Sequence, residues 1–251
     1  MMGRVLALSW TTFQDGLRSQ IFANLGVLAA FGVGFALVLD NLTVGVSGRV
    51  VMDLGVAVVS LINALVAAFM AVRTMGGEEN RHTLMTVLAR PVRRSEVVVG
   101  KFLGVAGLVT ANAAGAMVLL GLAGLLARHV DVTDLARSLV GLSAEAALVT
   151  AVTLMFSTFA GSTVAAVLGL GVYVAGLFAF HLRDFAVKGG EGAQGWLGSV
   201  FYYAVPNLQR LDFHALNPTL AEALASLLYA ACYVVAALAL GSAIFERRDL
   251  K

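Results

Sequence analysis

Cysteine is almost absent from this chain of 251 residues, and charge is scarce. Cys232 is the single cysteine, so no disulfide can form within the chain and no cysteine-rich metal site can be built. Charged residues make up 13% and hydrophobic residues 59%, against roughly 25% and 45–50% in soluble domains. With a mean hydropathy of +0.88, a soluble core could not hide so much apolar surface. Nucleotide motifs are missing as well. Gly100-Lys101 is followed by Phe102, and Ser95 stands where the first glycine of a GxxxxGK[ST] loop would be, which leaves no phosphate cradle. There is no HExxH, and Glu78, Glu79 and His82 make at best a weak helical cluster for a metal. Gly169, Gly171 and Gly176 lie mid-span with no βαβ pattern after them, which excludes a dinucleotide fingerprint. The four histidines fall in loops or at span ends, away from any serine they would activate inside a membrane. Neither a sustained repeat nor a low-complexity tail is visible. No catalytic, cofactor-binding or metal-ligating residue is expected, and no nucleic-acid partner.

What is present is a series of long apolar runs. Residues 21–39 and 54–72 are uncharged stretches of 19 residues each, long enough to cross the hydrocarbon as helices. A third span covers 102–127. Residues 138–180 carry one charge, Glu145, in 43 residues, about twice the length a bilayer accepts. That stretch must fold back, and the small and polar STFAGS segment at 157–162 is the place for the turn, giving spans at 138–157 and 162–180. A sixth span covers 224–245. The expected fold is therefore all-α: one polytopic membrane domain over 1–251 with six transmembrane helices.

Six spans put both termini on one side. With that side cytoplasmic, eleven of the seventeen Lys and Arg residues lie inside, as the positive-inside rule requires. The apolar run at 21–39 is longer than a signal-peptide core and is followed by Leu39 and Asp40 rather than a small-residue cleavage site, so it is expected to stay attached. Ahead of it, Leu6, Trp10, Phe13 and Leu17 recur at helical spacing, while Thr12, Gln14, Asp15, Arg18 and Ser19 take other faces. That pattern predicts an interfacial helix over about 4–20, lying in the headgroup layer. Within the third span, Gly104, Gly107, Ala111, Ala114 and Gly115 are small enough for close helix packing. Residues 181–219, the longest outer segment, hold Trp196, Phe201, Tyr202, Tyr203 and Pro206. They suit either a surface loop with an aromatic anchor or a short partial re-entry.

One sizeable charged loop remains, residues 73–101, between the second and third spans. Residues 78–89 can form a short helix with Glu78 and Glu79 at its amino end, Leu84, Met85 and Leu88 on one side, and Pro91 as a stop. Arg94, Ser95 and Glu96 then start an element that climbs into the third span, with Lys101 near the headgroups. Inside the spans, Glu145 is the one acidic residue, a marker of a pathway or a buried pair, although a helix starting at Ser138 would place it only about 10 Å from its end. Asn63 and Asn112 are interior amides that can bond a neighbouring helix or line a route.

These residues resemble a known family, the membrane subunits (permeases) of ABC type-2 transporters, including the branch associated with multicopper-enzyme maturation. The resemblance lies in GEENRHTL at 77–84, in Pro91, Arg94 and Gly100-Lys101 as a P-x-x-R…GK pattern, in PNLQRLD at 206–212, and in FERRDL at 245–250. Arg81-His82 stand where small residues are usual. The resemblance implies a permease subunit, not itself an enzyme, that pairs with a second permease copy and with two copies of a separate ABC ATPase, which would hold the ATP and magnesium. It further implies a cytoplasmic coupling helix after span two, with Glu78, Glu79, Arg81, His82, Thr83, Leu84, Met85, Leu88, Pro91 and Arg94 as the ATPase-coupling interface. The expected place is a bacterial plasma (inner) membrane. Transport, by export, is one function compatible with this; transmission of ATPase motion to an extracytoplasmic accessory protein is the other. Glu145, Asn63 and Asn112 are candidates for a translocation route. No cluster of soft ligands accompanies the copper-related branch name.

Overall fold

A computed structural model describes residues 2–20, 23, 26–27, 30, 34, 49–79, 94–126, 132–179 and 205–247. Among the described residues the chain is all-helical. The elements are α1 (Met2–Leu17), α2 (Arg49–Glu79), α3 (Arg94–Leu126), α4 (Val132–Ser157), α5 (Ser162–Leu177), a 3-10 turn (Leu208–Leu211), α6 (Phe213–Leu216) and α7 (Leu220–Arg247). Four of the helices, α2, α3, α4 and α7, are long and apolar enough to cross a membrane. The apolar α5 has 16 residues and is about 24 Å long, short of a hydrocarbon core of about 30 Å. The expected span at 21–39 lies outside the described residues apart from five isolated helical positions.

The centre of the bundle is α4. It packs against α2, α3, α5 and α7, as well as the 3-10 turn and α6. Leu148, Ala151 and Leu154 are fully buried there. Two of its hydroxyls are satisfied by its own ladder, Ser138 donating to the Asp134 carbonyl at 2.6 Å and Thr150 to that of Ala146 at 2.7 Å, so they carry little polarity into the core, whereas the buried Thr153 Oγ1, packed against Gly169, has no hydrogen-bond partner among the described residues. α4 ends at Ser157, where the last turn tightens. Thr158 N–H reaches back to the Met155 carbonyl, and Gly161, in extended conformation, leads into α5. α7 lies on the outside, with large exposed side chains such as Leu224, Leu228 and Val235. It meets the bundle through Ala230, Ala237, Gly241 and Phe245.

The inner end of α2 differs from the expectation of a loop over 73–101, whereas α3 starts where an element climbing into the third span was expected. α2 continues without a break through Gly76 and Gly77 to Glu79, so Glu78 and Glu79 prolong that helix rather than opening a separate one. α3 begins at Arg94, with Glu96 in its first turn, where the helix dipole favours an anion. Residues 80–93 lie outside the described residues, and with them most of the expected coupling helix. Lys101, expected near the headgroups, is instead 2% exposed. Its Nζ donates to the Thr74 carbonyl and lies 3.9 Å from the Met75 sulfur. The cause is the extra length of both helices, which run side by side past their apolar stretches and enclose the lysine between them.

Packed along α3, α1 presents Val5, Leu8, Ser9, Thr12, Phe13 and Gly16 to the bundle. Leu6, Trp10 and Leu17 are exposed, with Phe13 half-buried and stacked on Trp10 at 5.8 Å. Thr12 and Ser19, read as belonging to the other faces of an interfacial helix, are in fact protein contacts: Thr12 meets Gly104, and Ser19 is buried and accepts a hydrogen bond from Arg73. Gly104 decides how closely the helices approach. A Cβ there would stand 2.7 Å from the Ser9 carbonyl oxygen and 2.6 Å from the Thr12 Cβ, whereas one on Gly115 would meet nothing within 4 Å. In helix propensity alone both Gly→Ala changes should stabilise, by roughly 1 kcal/mol. Gly104→Ala is expected instead to lower the thermal unfolding midpoint, by about 1–3 kcal/mol of overpacking, while Gly115→Ala holds or raises it. Equal behaviour of the two variants would refute the close α1–α3 contact.

Candidate functional site

The end of the bundle where α2, α4 and α7 begin contains a cavity of about 750 Å³. Its walls combine apolar side chains, among them Val56, Leu142 and Leu177, with about as many polar or charged ones. Three aspartates line it, Asp53 on α2, Asp134 on α4 and Asp212 just before α6. Glu145 lies eleven residues beyond Asp134 on α4, about 16 Å further along the helix, and Ser60 lies seven residues beyond Asp53 on α2. Both line the cavity.

Glu145 is 8% exposed. Ser60 donates to its carboxylate, with Oγ at 3.0 and 3.1 Å from the two oxygens, and the same Oγ lies 3.0 Å from the Tyr173 hydroxyl on α5. Serine has a single hydroxyl proton. With that proton directed to Glu145, Tyr173 donates to Ser60, and the three groups form one chain linking α2, α4 and α5. Glu145 is deeper than the 10 Å expected from a span beginning at Ser138, because α4 starts at Val132. The polar first turns stay helical: Arg137 lies 3.8 Å from Asp134 one turn back and donates to Asn217 at 3.1 Å, which favours helix where the composition suggested an outer loop.

A cap of backbone covers the cavity, and it is built from the PNLQRLD segment. Leu208 and Leu211 of the 3-10 turn are 2% and 1% exposed, pressed against α4 and α5. Two glycines make room: a Cβ on Gly141 would fall 2.2 Å from the Leu211 carbonyl oxygen, and one on Gly176 would fall 2.7 Å from that of Pro206. Asn207 N–H donates to the Tyr229 hydroxyl at 2.9 Å, and the Arg210 guanidinium lies over the Tyr229 ring at 5.3 Å, a cation–π contact that ties the cap to α7. Asp212 accepts from the Ala215 N–H and caps α6, which Asn217 closes in the left-handed conformation. Thr219 and Glu222 then form a capping box that starts α7. His214 on α6 contacts Asp53 at 2.8 Å. The aromatic residues Trp196, Phe201, Tyr202 and Tyr203 lie outside the described residues.

Of the three candidates for a route, the structure brings Glu145 alone to the cavity. Asn112 donates to the Asn63 carbonyl oxygen at 3.2 Å, so these two amides tie α2 to α3 below it. Among the coupling residues, Glu78 and Glu79 occupy the last turn of α2 and Arg94 the first position of α3. Arg81, His82, Thr83, Leu84, Met85, Leu88 and Pro91 lie outside the described residues. Sequence reasoning missed Ser60, Tyr173, Asp53, Asp134, Asp212 and His214. A signal for two of them was present: Asp53 and Ser60 are seven residues apart and so share one face of α2.

A family model described as ABC-2 family transporter protein matches residues 6–250. No curated protein matches the chain.

Ser60 supplies the hydrogen bond that Glu145 receives among the described residues, so Ser60→Ala should destabilise the fold by about 1–3 kcal/mol through a buried acceptor left unsatisfied. Tyr173→Phe, one step further from the carboxylate, should cost less. In unfolding measured in micelles, Ser60→Ala combined with Glu145→Ala is expected to cost less than the two single changes summed. Strict additivity would show that the two side chains do not interact.

Proposed function

Because this chain belongs to the ABC-2 transporter family, we propose that it is the membrane-spanning permease subunit of an exporter, forming the translocation route with a second copy of itself. It is a multi-pass membrane protein, and permeases of this family work with an ABC ATPase subunit. In this reading the ATPase is present in two copies and holds the ATP and magnesium. The chain crosses a bacterial inner membrane six times with both termini in the cytoplasm, the orientation favoured by its Lys and Arg. The cavity then opens on the extracytoplasmic side, and α1 and the connection between α2 and α3 face the ATPase.

The observation that carries the reading is the joint at the opposite end from the cavity. α1 lies on α3, Arg73 of α2 donates to Ser19 just beyond α1, and Lys101 of α3 donates to the Thr74 carbonyl of α2. Nucleotide turnover in a partner can move the membrane part only through contacts that differ between states. Helices joined in this way move as one piece, so a displacement delivered at residues 80–93 or at α1 passes into α2. The same helix carries Asp53 and Ser60 to the cavity.

The coupling surface in this proposal comprises Glu78, Glu79, Arg81, His82, Thr83, Leu84, Met85, Leu88, Pro91 and Arg94. Charge reversal by Glu78→Lys with Glu79→Lys is expected to leave insertion and ATP hydrolysis in place while transport falls about tenfold, a coupling loss of ~1.4 kcal/mol. The measurement is ATPase activity and transport in the same vesicles, reconstituted with a partner ABC ATPase subunit. Undiminished transport in the double variant would sink the assignment of this surface.

A further inference from the structure

We infer that the cavity is a binding site for an amphipathic organic cation, a protonated amine on an apolar body, with the ammonium at Glu145 and the body against Val56, Leu142 and Leu177. A volume of about 750 Å³ lies within the range of small-molecule sites, roughly 300–1,000 Å³. The lining is amphipathic, with apolar side chains to receive the body and polar ones, four carboxylates among them, to receive the charged head.

The charge of the lining selects the ligand. Four carboxylates line the cavity, against one histidine. Asp53 is engaged by His214, Asp134 has Arg137 nearby, and Asp212 caps α6. Glu145, the most buried of the four, receives from the described residues one hydroxyl hydrogen bond and no cation. A carboxylate has room for about four donors, and an ionisable group buried in a membrane protein calls for a partner. An ammonium offers three donors and the missing charge. A bare metal ion fits poorly, since no three His, Cys, Asp or Glu side chains among the described residues converge as ligands. A sugar or a phosphorylated head would find either too few donors or the wrong sign of charge.

Binding is inferred from the cavity itself; that the bound amine is then carried across rests on the reading of the chain as an exporter permease. The test uses the full chain purified into nanodiscs of zwitterionic lipid, with two fluorescent probes of the same shape, 1-naphthylmethylamine and 1-naphthalenemethanol. Equilibrium dialysis, with empty nanodiscs subtracted, is expected to show saturable binding of the amine at one site per chain, about tenfold or more tighter than the alcohol. Glu145→Gln should abolish that preference. Ala57→Leu, which narrows the cavity without touching the carboxylate, should weaken the amine independently and keeps the inference open to refutation if Glu145→Gln does not fold. Equal affinity for amine and alcohol, absence of saturation, or undiminished amine binding in both variants would overturn it. Saturable amine binding without ATP-driven movement of the amine in reconstituted vesicles would leave this site standing and count against the exporter reading. ATP-driven transport of other compounds with no amine binding would do the reverse.

Discussion

Surrounded by helices and capped from above, a carboxylate in the middle of an apolar bundle has to find its donors on neighbouring helices. Glu145 does so through Ser60, and Ser60 through Tyr173. The result is a polar link between α2, α4 and α5 at the level where the cavity ends. Everything above that level depends on it. The aspartates and the cap are held by helices whose spacing the link helps to set, and an isolated charge in its place would be strongly unfavourable.

Elsewhere the bundle relies on close approach rather than polarity. Lipid tails are as apolar as leucine, so helices in a bilayer associate through packing and a few hydrogen bonds. Gly104 lets α1 settle against α3, and Gly141 and Gly176 let the backbone of the 3-10 turn reach α4 and α5. At the other end, Arg73, Lys101 and the carbonyl of Thr74 supply the polar ties. The molecule thus has a jointed end, where α1, α2 and α3 are bound together, and a hollow end, where α2, α4 and the cap enclose a negatively lined space. The helix common to both is α2. For a family whose permeases answer to a separate ATPase, that continuity gives a motion at one end a material path to the other.

Much of this was legible in the sequence. Run length and hydropathy marked the segments that became α2, α3, α4, α5 and α7, and the small, polar STFAGS segment lies where α4 ends and α5 begins. The motifs that carried the resemblance led to the family whose model covers residues 6–250. Helix ends were less legible. The charged turn Asp134–Arg137 looks like loop in composition but remains helical, with its two charged side chains one turn apart. Lys101 misled in the same way, since a lysine close to a span end ordinarily reaches for the headgroups.

What the sequence alone determined is the class of the molecule. Too much apolar surface for water, cut into bilayer-length pieces and interrupted by one basic segment, leaves a helical membrane protein as the physical solution, because hydrocarbon demands that each backbone hydrogen bond be closed within a segment. What only the tertiary structure decided is the site. Glu145, Ser60 and Tyr173 are separated by 85 and 113 residues, and the cap that roofs them comes from a segment that reads as an outer loop. No local pattern encodes such a meeting, since it arises from which faces of α2, α4 and α5 turn toward one another and from the two glycines that admit the cap between them.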